Sequence, residues 1–530
     1  MKKLIPILTL AATLGVTSCS KKAMEGDAEP GVPSELATPA EFVSTIPSDI
    51  DTSLQNQYMA NHEIAKSQRL HDLFSWRSFL AINWPVDAKG DPQPKLTDAG
   101  QPRWTGWSEA FNVFRDSGQH PLPWGANRLP PSWIVKGLQR KQLNASADGA
   151  HRRILFLNNK TLPIHGKQTV ANEVDQAFTG PMFDQNGNLV RYEVLLNKQE
   201  YDYIVANELY NWDGQIVFSS KHDSLADFPS GIFQDKDSVG AIEIKLAWKV
   251  LDPKKDIASR YFSMDAYVYN LDSTWSDVKV GLVGMHISHK CASGKQWLWS
   301  TFEQVDNVEV NELAAETDSS KLPKKPSFYD PNCPSCPVNV FVDSTQIPYT
   351  NPAEYIKYSI PKDKYIPNGG GAFIAQAQRV IPIPKALQEL NHRIQKMLAA
   401  QGSVWQYYEL IGTQWPKHQF VPPAPNTYAA LPRSVDNKPG GDPEPVFLTN
   451  MTMETYFQLG NQSASNMIEN ANAPANVSQE RYVFGTESCM GCHSSAGLAV
   501  GKDSSGNPIF APQLSADFSW LLNTKATWKR

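Results

Sequence analysis

The segment Ala241–Val250 (AIEIKLAWKV) alternates between apolar and polar side chains. In an extended chain, one side carries the apolar residues Ile242, Ile244, Leu246, Trp248 and Val250, and the other side carries Glu243, Lys245 and Lys249. A period of two is typical of a β-strand that buries one face. We therefore predict a strand here and expect the flanking sequence to complete its sheet.

The flanking segments show similar strand patterns. We predict strands over residues 189–196, 201–205, 215–219, 260–269, 278–289 and 296–305, with Asp213-Gly214 as a hairpin signal. Helical spacing predicts helices over residues 70–84, 384–400, 404–415 and 449–459. The expected fold is mainly β, an antiparallel sandwich or barrel-like sheet with additional helices.

Composition divides the 530 residues into segments. Residues 66–310 are predicted to form an aromatic-rich, mainly β domain. Residues 311–380 read as a loop-rich connector, and residues 381–530 as a helical and irregular segment. Residues 20–65 are rich in Ala, Pro, Ser, Thr, Glu and Asp, which is typical of a flexible tether.

The N-terminus has the pattern of a secretory signal. Lys2 and Lys3 precede an apolar run, Leu4–Val16, that is too short to span a membrane. The following Val16-Thr17-Ser18-Cys19 resembles the lipobox of bacterial lipoproteins, and this resemblance implies that Cys19 is lipidated. We predict an exported periplasmic or outer-membrane lipoprotein that is attached to the membrane through its lipid only. An ordinary cleaved signal is the alternative.

Cys489-Met-Gly-Cys-His493 has the Cys-x-x-Cys-His spacing of a c-type haem attachment motif. On a helix, positions i, i+3 and i+4 share one face. Two thiols can then bond to the two vinyl groups of one porphyrin, while the imidazole binds its iron. The sequence therefore predicts one covalently attached haem c at Cys489, Cys492 and His493, on a helical C-terminal segment.

The second axial position of the iron decides the class of haem protein. No Met or His follows His493, so a protein ligand has to come from earlier in the chain. Met451 and Met453 are the nearest candidates, and His286 and His289 are the others. The two histidines should point to opposite faces of their strand. A core role for each of these side chains, and an open iron position, are the alternatives.

The remaining cysteines leave several interpretations open. Cys333-Pro-Ser-Cys336 could be a redox dithiol or a metal pair, but its flanking prolines favour a structural disulfide in an oxidising compartment. Together with Cys489 and Cys492 it could form a four-cysteine zinc site, although His493 would then have no role. The role of Cys291 stays open.

Charge and motifs narrow the functional classes. The chain has 49 basic and 54 acidic residues and a net charge of −5, which argues against a nucleic-acid surface. Its sequence contains no phosphate-binding Gly-rich loop, no His-Glu-x-x-His and no Gly-x-Ser-x-Gly. The expected partner is a redox protein whose identity the sequence does not specify.

Four stretches together resemble a group of exported bacterial monohaem proteins usually labelled c-type cytochrome family proteins. They are residues 74–85, residues 281–290 with 297–307, residues 449–456, and residues 489–493 followed by 516–518. The resemblance covers most of residues 70–525. It implies haem binding at Cys489, Cys492 and His493, and no named substrate.

A second resemblance concerns shorter β-fold monohaem cytochromes with a C-terminal motif and no sixth protein ligand. Their known members oxidise hydroxylamine or bind nitric oxide, and the oxidising ones crosslink a lysine to the porphyrin. Lys245 would be the corresponding candidate here, and a solvated strand lysine is the alternative.

We therefore expect a lipid-anchored monohaem c-type cytochrome that transfers electrons. The alternative is a haem oxidoreductase with an open iron that acts on a small nitrogen or oxygen species. A structural or binding protein that uses its haem as a sensor is a third reading.

Overall fold

The computed structural model of the chain describes most of its central part and its C-terminus. The described residues are 32–126, 153–155, 182–222, 225–235, 237–269, 275–309, 322–332, 338–339, 356–359, 364–367, 376–417, 443–445, 447–455, 458, 489–493, 496–511 and 515–530. The predicted signal segment with Cys19, and the pair Cys333 and Cys336, lie outside these residues.

The helices and strands follow one another along the whole described chain. The helices are α1 (Thr52–Ala60), α2 (Ile64–Ile82), α3 (Ala110–Val113), α4 (Lys198–Ala206), α5 (Trp212–Lys221), α6 (Lys385–Ala400), α7 (Cys489–His493) and α8 (Trp520–Thr524). The strands are β1 (Pro85–Val86), β2 (Gln101–Pro102), β3 (Ser108–Glu109), β4 (Arg153–Leu155), β5 (Arg191–Leu196), β6 (Ile242–Val250), β7 (Ser263–Tyr269), β8 (Trp275–Cys291), β9 (Gly294–Gln304), β10 (Ile356–Ser359), β11 (Lys364–Pro367), β12 (Tyr408–Pro416), β13 (Pro443–Glu444), β14 (Ala499–Lys502) and β15 (Pro508–Phe510).

One large sheet organises the structure, with strand order β13-β12-β9-β8-β6-β5-β3. The long strand β8 pairs with β6 along one edge, and with β7 and then β9 along the other. All of these pairs are antiparallel, whereas β4 joins β7 in parallel. The prediction of an antiparallel sheet with additional helices is confirmed at this level.

One face of this sheet carries the main apolar core. Leu246, Met285 and Phe302 are register neighbours on β6, β8 and β9, and none is exposed. Helix α2 packs on these residues. The ring of its Phe79 stacks on Phe302, with centroids 4.1 Å apart. Burying a large apolar side chain contributes about 1.5–3 kcal/mol, so this face supplies much of the stability of the fold.

The indole of Trp76, also on α2, donates a hydrogen bond of 2.9 Å to Asn391 Oδ1 of α6. This bond ties the two helices that cover the apolar face. The predicted helices 70–84 and 384–400 correspond to α2 and α6.

Two predicted strands are wrong, because residues 201–205 and 215–219 lie in helices α4 and α5. The side-chain oxygen of Asn197 accepts from Glu200 N, and that of Asn211 accepts from Gly214 N. Both are N-cap hydrogen bonds, which favour helix initiation. The Asp213-Gly214 pair lies in the first turn of α5 and does not form a hairpin.

The prediction of a helix over residues 404–415 is also wrong. A short 3₁₀-helix, Val404–Tyr407, leads into strand β12, which pairs with β9. Nearly every residue of β12 is buried, so the strand has no polar alternation and its pattern is indistinguishable from that of a buried helix. The predicted segment 381–530 therefore contributes a strand to the main sheet.

Residues 449–455 form a turn where a helix was predicted. The side chain of Asn450 accepts from the backbone amide and hydroxyl of Thr452, and the carboxylate of Glu303 accepts from Met451 N. Such side-chain bonds compete with helical hydrogen bonds.

The tether prediction is wrong for the described residues 32–65. They contain a 3₁₀-helix, Ser34–Leu36, and helix α1, and they bury Leu36, Ile50 and Tyr58 against the body of the protein. Packing of these few apolar residues outweighs the polar composition around them. None of the described helices combines the length and the apolarity needed to cross a membrane.

Because His71 is buried as a neutral imidazole, we expect acid to lower the unfolding free energy. Its ring stacks on Trp415 at 4.4 Å, and burial lowers its pKa to about 4, against the opposing hydrogen bond to Ser67 O. In the unfolded chain the His71 side chain has a pKa near 6.5. Proton binding therefore favours the unfolded chain as the pH falls from about 6.5 towards 4, and the unfolding free energy decreases over this range.

Between pH 7 and pH 5, we expect the unfolding free energy of His71→Phe to decrease by about 2 kcal/mol less than that of the wild type. Urea unfolding at both pH values measures this difference. An unchanged pH dependence in the variant would contradict the assignment.

Candidate haem-attachment site

Helix α7 lies beside β9 on the face of the sheet opposite α2, and hydrogen bonds hold both of its ends. Gln414 Oε1 accepts from Met490 N at 2.8 Å, and the indole of Trp520 donates to the Cys492 carbonyl at 3.3 Å. The carbonyl of His493 accepts from Ala496 N at 3.1 Å. The five residues are helical, so Cys489, Cys492 and His493 share one face of a single turn.

The two thiols of α7 are partly exposed, and neither is in a disulfide among the described residues. Burial in its surroundings raises the pKa of Cys489, and the negative charge of Glu454 raises it further. Cys489 is therefore a thiol at neutral pH.

The imidazole of His493 is held in one tautomer. Its Nδ1 lies 2.9 Å from the carbonyl oxygen of Phe518, and a carbonyl can only accept, so Nδ1 carries the proton. The other nitrogen, Nε2, then keeps its lone pair. A histidine that donates one N–H to a backbone carbonyl is the usual form of a metal ligand.

The surroundings of His493 keep it neutral. Burial lowers its pKa to about 4, the carbonyl of Phe518 opposes this, and the charges of His286 and Lys245 lower it further. The ring of Trp299 packs against it, with centroids 4.5 Å apart. A neutral imidazole against an indole is suited to bind a metal and to shield it from water.

A strained turn positions the carbonyl that His493 uses. Asp517 and Phe518 both have positive φ values, 46° and 66°, a conformation that residues other than glycine rarely adopt. The carboxylate of Asp517 pairs with Lys290 Nζ at 2.7 and 2.8 Å and accepts from Phe228 N at 2.8 Å. These buried bonds compensate the strain, which is typical of functional sites.

A polar row crosses the same face next to this site. Lys245, His286 and Thr301 are register neighbours on β6, β8 and β9. His286 Nε2 lies 2.9 Å from Glu454 Oε1, and Asn450 Nδ2 donates to Thr301 Oγ1 at 2.7 Å. The turn 449–455 therefore covers this row.

The row is electrically coupled to the motif. Burial works against ionisation of Glu454, yet the charge and hydrogen bond of His286 hold its pKa below its ordinary value. The charge of Glu454 acts on both Cys489 and His493. His286 Nδ1 is buried and has no hydrogen-bond partner among the described residues.

The structure separates the four candidates for the second axial position. Met451 and Met453 are fully buried in an apolar cluster with Tyr192, and this cluster does not include the aromatic neighbours of His493. His289 lies on the opposite face, where its ring packs against Phe74 at 5.3 Å. The two histidines thus point to opposite faces as expected, and His286 is the candidate that lies near the motif.

The remaining predicted residues have other surroundings. Lys245 Nζ lies 4.9 Å from the centre of the Tyr192 ring, on the same face as His286. Cys291 is a fully buried thiol that donates to Ser48 O at 3.5 Å, so it is a core residue. The zinc interpretation requires Cys333 and Cys336, which the structure does not describe.

Sequence reasoning missed Trp299, Gln414, Glu454 and the carbonyl of Phe518 as parts of the site. Each is remote from the motif in sequence or lies in a stretch whose local structure was predicted wrongly. Glu243 and Lys245 were the available sequence signal for a site on this face, because they place charged groups on a strand whose other face lies in the core.

Comparison with known proteins identifies no relative. No family model matches the chain, and neither a curated protein nor a solved structure is significantly similar to it.

Gly284 on β8 provides a test of the turn that carries Glu454. A Cβ at this position would overlap the hydroxyl of Thr452 and lie 3.1 Å from Asn450 Oδ1. We expect Gly284→Ala to lower the unfolding free energy by about 1–3 kcal/mol, because the turn has to move away from the sheet.

Gly501→Ala is the matched control, since its Cβ would meet Ile509 at an ordinary 3.6 Å. Its effect should stay within about 0.5 kcal/mol. Chemical denaturation of both variants measures the difference, and equal losses would show that turn 449–455 does not pack on β8 as described.

Proposed function

We propose that this chain is a lipid-anchored monohaem c-type cytochrome that transfers electrons in the periplasm or at the outer membrane. The observation that carries the proposal is the geometry of α7. Two thiols that are in no disulfide and a neutral imidazole share one helical turn, and the imidazole Nδ1–H donates a hydrogen bond to Phe518 O.

These residues fit a haem. Cys489 and Cys492 would bond to its vinyl groups, and His493 Nε2 would bind its iron. When bound, the haem supplies a one-electron redox centre. The chain would fix the imidazole through Phe518 and exclude water with Trp299.

The proposal includes two expectations that reach beyond the described residues. One is a sandwich- or barrel-like closure of the sheet around a helical haem segment. The other is export, with Cys19 as the lipidated residue, which agrees with haem attachment because c-type haems are attached outside the cytoplasm.

A second candidate function is an oxidoreductase whose iron keeps an open position for a small nitrogen or oxygen species. The pair His286–Glu454 favours it, because His286 Nε2 is already engaged and its buried Nδ1 has no partner among the described residues. Such a pair could bind or move a proton beside a small substrate.

Covalent haem attachment tests the first proposal. The protein matured in a host that makes c-type cytochromes should gain the mass of one haem and keep it after denaturation. Cys489→Ala together with Cys492→Ala should abolish retention, and each single variant should keep a haem with one thioether bond. Mass spectrometry and the pyridine haemochrome spectrum measure these outcomes.

Cys291→Ala is the matched control, because this thiol is buried in the core away from α7. It should retain the haem fully. Colourless wild-type protein, or equal haem retention in the double Cys489/Cys492 variant, would refute the proposal.

Carbon monoxide separates the two candidate functions. For an electron carrier with both axial positions filled, we expect the absorption spectrum of the reduced protein to stay unchanged after carbon monoxide is added. A rapid spectral change would instead support the open-iron oxidoreductase. Reduced protein without the gas is the reference.

A further inference from the structure

Three carboxyl groups meet between α4, β6 and the segment that follows α7. Glu200 is fully buried, and neither of its carboxyl oxygens has a hydrogen-bond partner among the described residues. Burial raises its pKa well above the ordinary value, and the charges of Glu243 and Asp517 add to this. Glu200 is therefore a neutral acid that faces the other two groups.

Burial also raises the pKa of Asp517, to about 6, against the opposing charge of Lys290, and Glu243 has the higher pKa of the two. Burial raises the pKa of Glu243 to about 7, while a 3.2 Å hydrogen bond from Ser519 Oγ and the charges of Lys245 and Lys525 oppose the rise. It forms no ion pair as close as that of Asp517 with Lys290.

The other charged groups nearby have fixed partners. Lys290 Nζ binds Asp517 at 2.7 Å and also lies 3.3 Å from the exposed Asp227. Further along the same face, His286 is paired with Glu454. Lys290 thus offsets the charge of Asp517, whereas Glu243 has no lysine this close among the described residues, so we expect a new charge to affect Glu243 most.

Two structural connections link Glu243 to His493. Across the sheet, Glu243 is the register neighbour of Ser288, and Ser288 of Trp299, whose ring packs against His493. Two strand spacings amount to about 10 Å. Along the chain, the Ser519 that donates to Glu243 follows Phe518, the acceptor of the His493 proton.

We propose that Glu243 binds one proton from solvent when a one-electron donor reduces the haem held at Cys489, Cys492 and His493, and releases that proton on reoxidation. This inference rests on the proposed function. The donor supplies the electron, and the carboxylate of Glu243 becomes a carboxylic acid. With a tenfold change in proton affinity, about half a proton at most would accompany each electron near neutral pH.

Coulomb's law supports the size of the effect. Reduction adds one negative charge to the centre, which lies beyond Trp299 from Glu243, and across roughly 10–15 Å at an effective dielectric constant near 20 this strengthens proton binding roughly tenfold. A tenfold change in a one-electron couple corresponds to about 59 mV. The reduction potential should therefore fall by an amount of this order as the pH rises through neutrality.

Spectroelectrochemical titration of the haem-loaded full chain between pH 5.5 and 8.5 tests the inference. The wild-type potential should fall across this range, and Glu243→Gln should remove most of the fall. Asp265→Asn, an exposed carboxylate on β7, is the control and should behave like the wild type. Lys525→Gln should move the fall to higher pH, because it removes a positive charge that favours ionised Glu243.

A redox-difference infrared spectrum gives a second readout. A band of protonated carboxyl should grow on reduction in the wild type and be absent in Glu243→Gln. A potential independent of pH in the wild type, or an equal fall in Glu243→Gln, would overturn the inference and leave the proposed function standing. If Glu243→Gln does not fold, an unmoved fall in Lys525→Gln would overturn it. Protein without covalent haem would instead overturn the proposed function.

Discussion

The alternation of side chains along β6, β8 and β9 is the constraint on which the rest of the structure depends. Because successive residues point to opposite faces, the apolar positions bind α2, and the intervening positions form a second, polar face. A one-residue slip in any of these pairings would exchange the two faces. Such a slip would bury Lys245 under α2 and separate Trp299 from His493. The fold and the candidate site therefore require the same register.

The polar face is covered by other parts of the chain. Burying its charged and polar groups destabilises the fold unless they are paired. Most groups here have partners, as in the ion pairs Arg379–Glu303 and Lys290–Asp517. Both carboxyl oxygens of Glu200 and the Nδ1 of His286 have no hydrogen-bond partner in the described part of the chain, and on the α2 side the same holds for His289 Nδ1 and His71 Nε2. Each unsatisfied buried group calls for an explanation, and for the ionisable side chains of Glu200 and His286 proton binding is one.

The parts of the fold that could be predicted from sequence are those with one clear period. Strand β6 alternates apolar and polar residues, and the large apolar residues of helix α2 recur at helical spacing, so both could be identified from sequence. Strand β12 is buried on both sides, and helices α4 and α5 are short and begin at asparagine caps, so a local pattern could not identify them. The motif at Cys489 is contiguous and was found, whereas Glu454 and Phe518 reach the site only through tertiary contacts that no local pattern encodes.

The charged groups on the two sides of His493 should respond differently when a haem bound there is reduced. On the side of the turn 449–455, Glu454 Oε1 lies 2.9 Å from His286 Nε2. On the side of α4, Glu200 is neutral and Lys290 neutralises Asp517. A group near its midpoint of ionisation changes charge most readily when the local potential changes, and burial raises the pKa of Glu243 to about 7. Since Glu243 lies two strand spacings from the indole that packs on His493, the sheet register that builds the proposed haem site also positions the proposed proton acceptor.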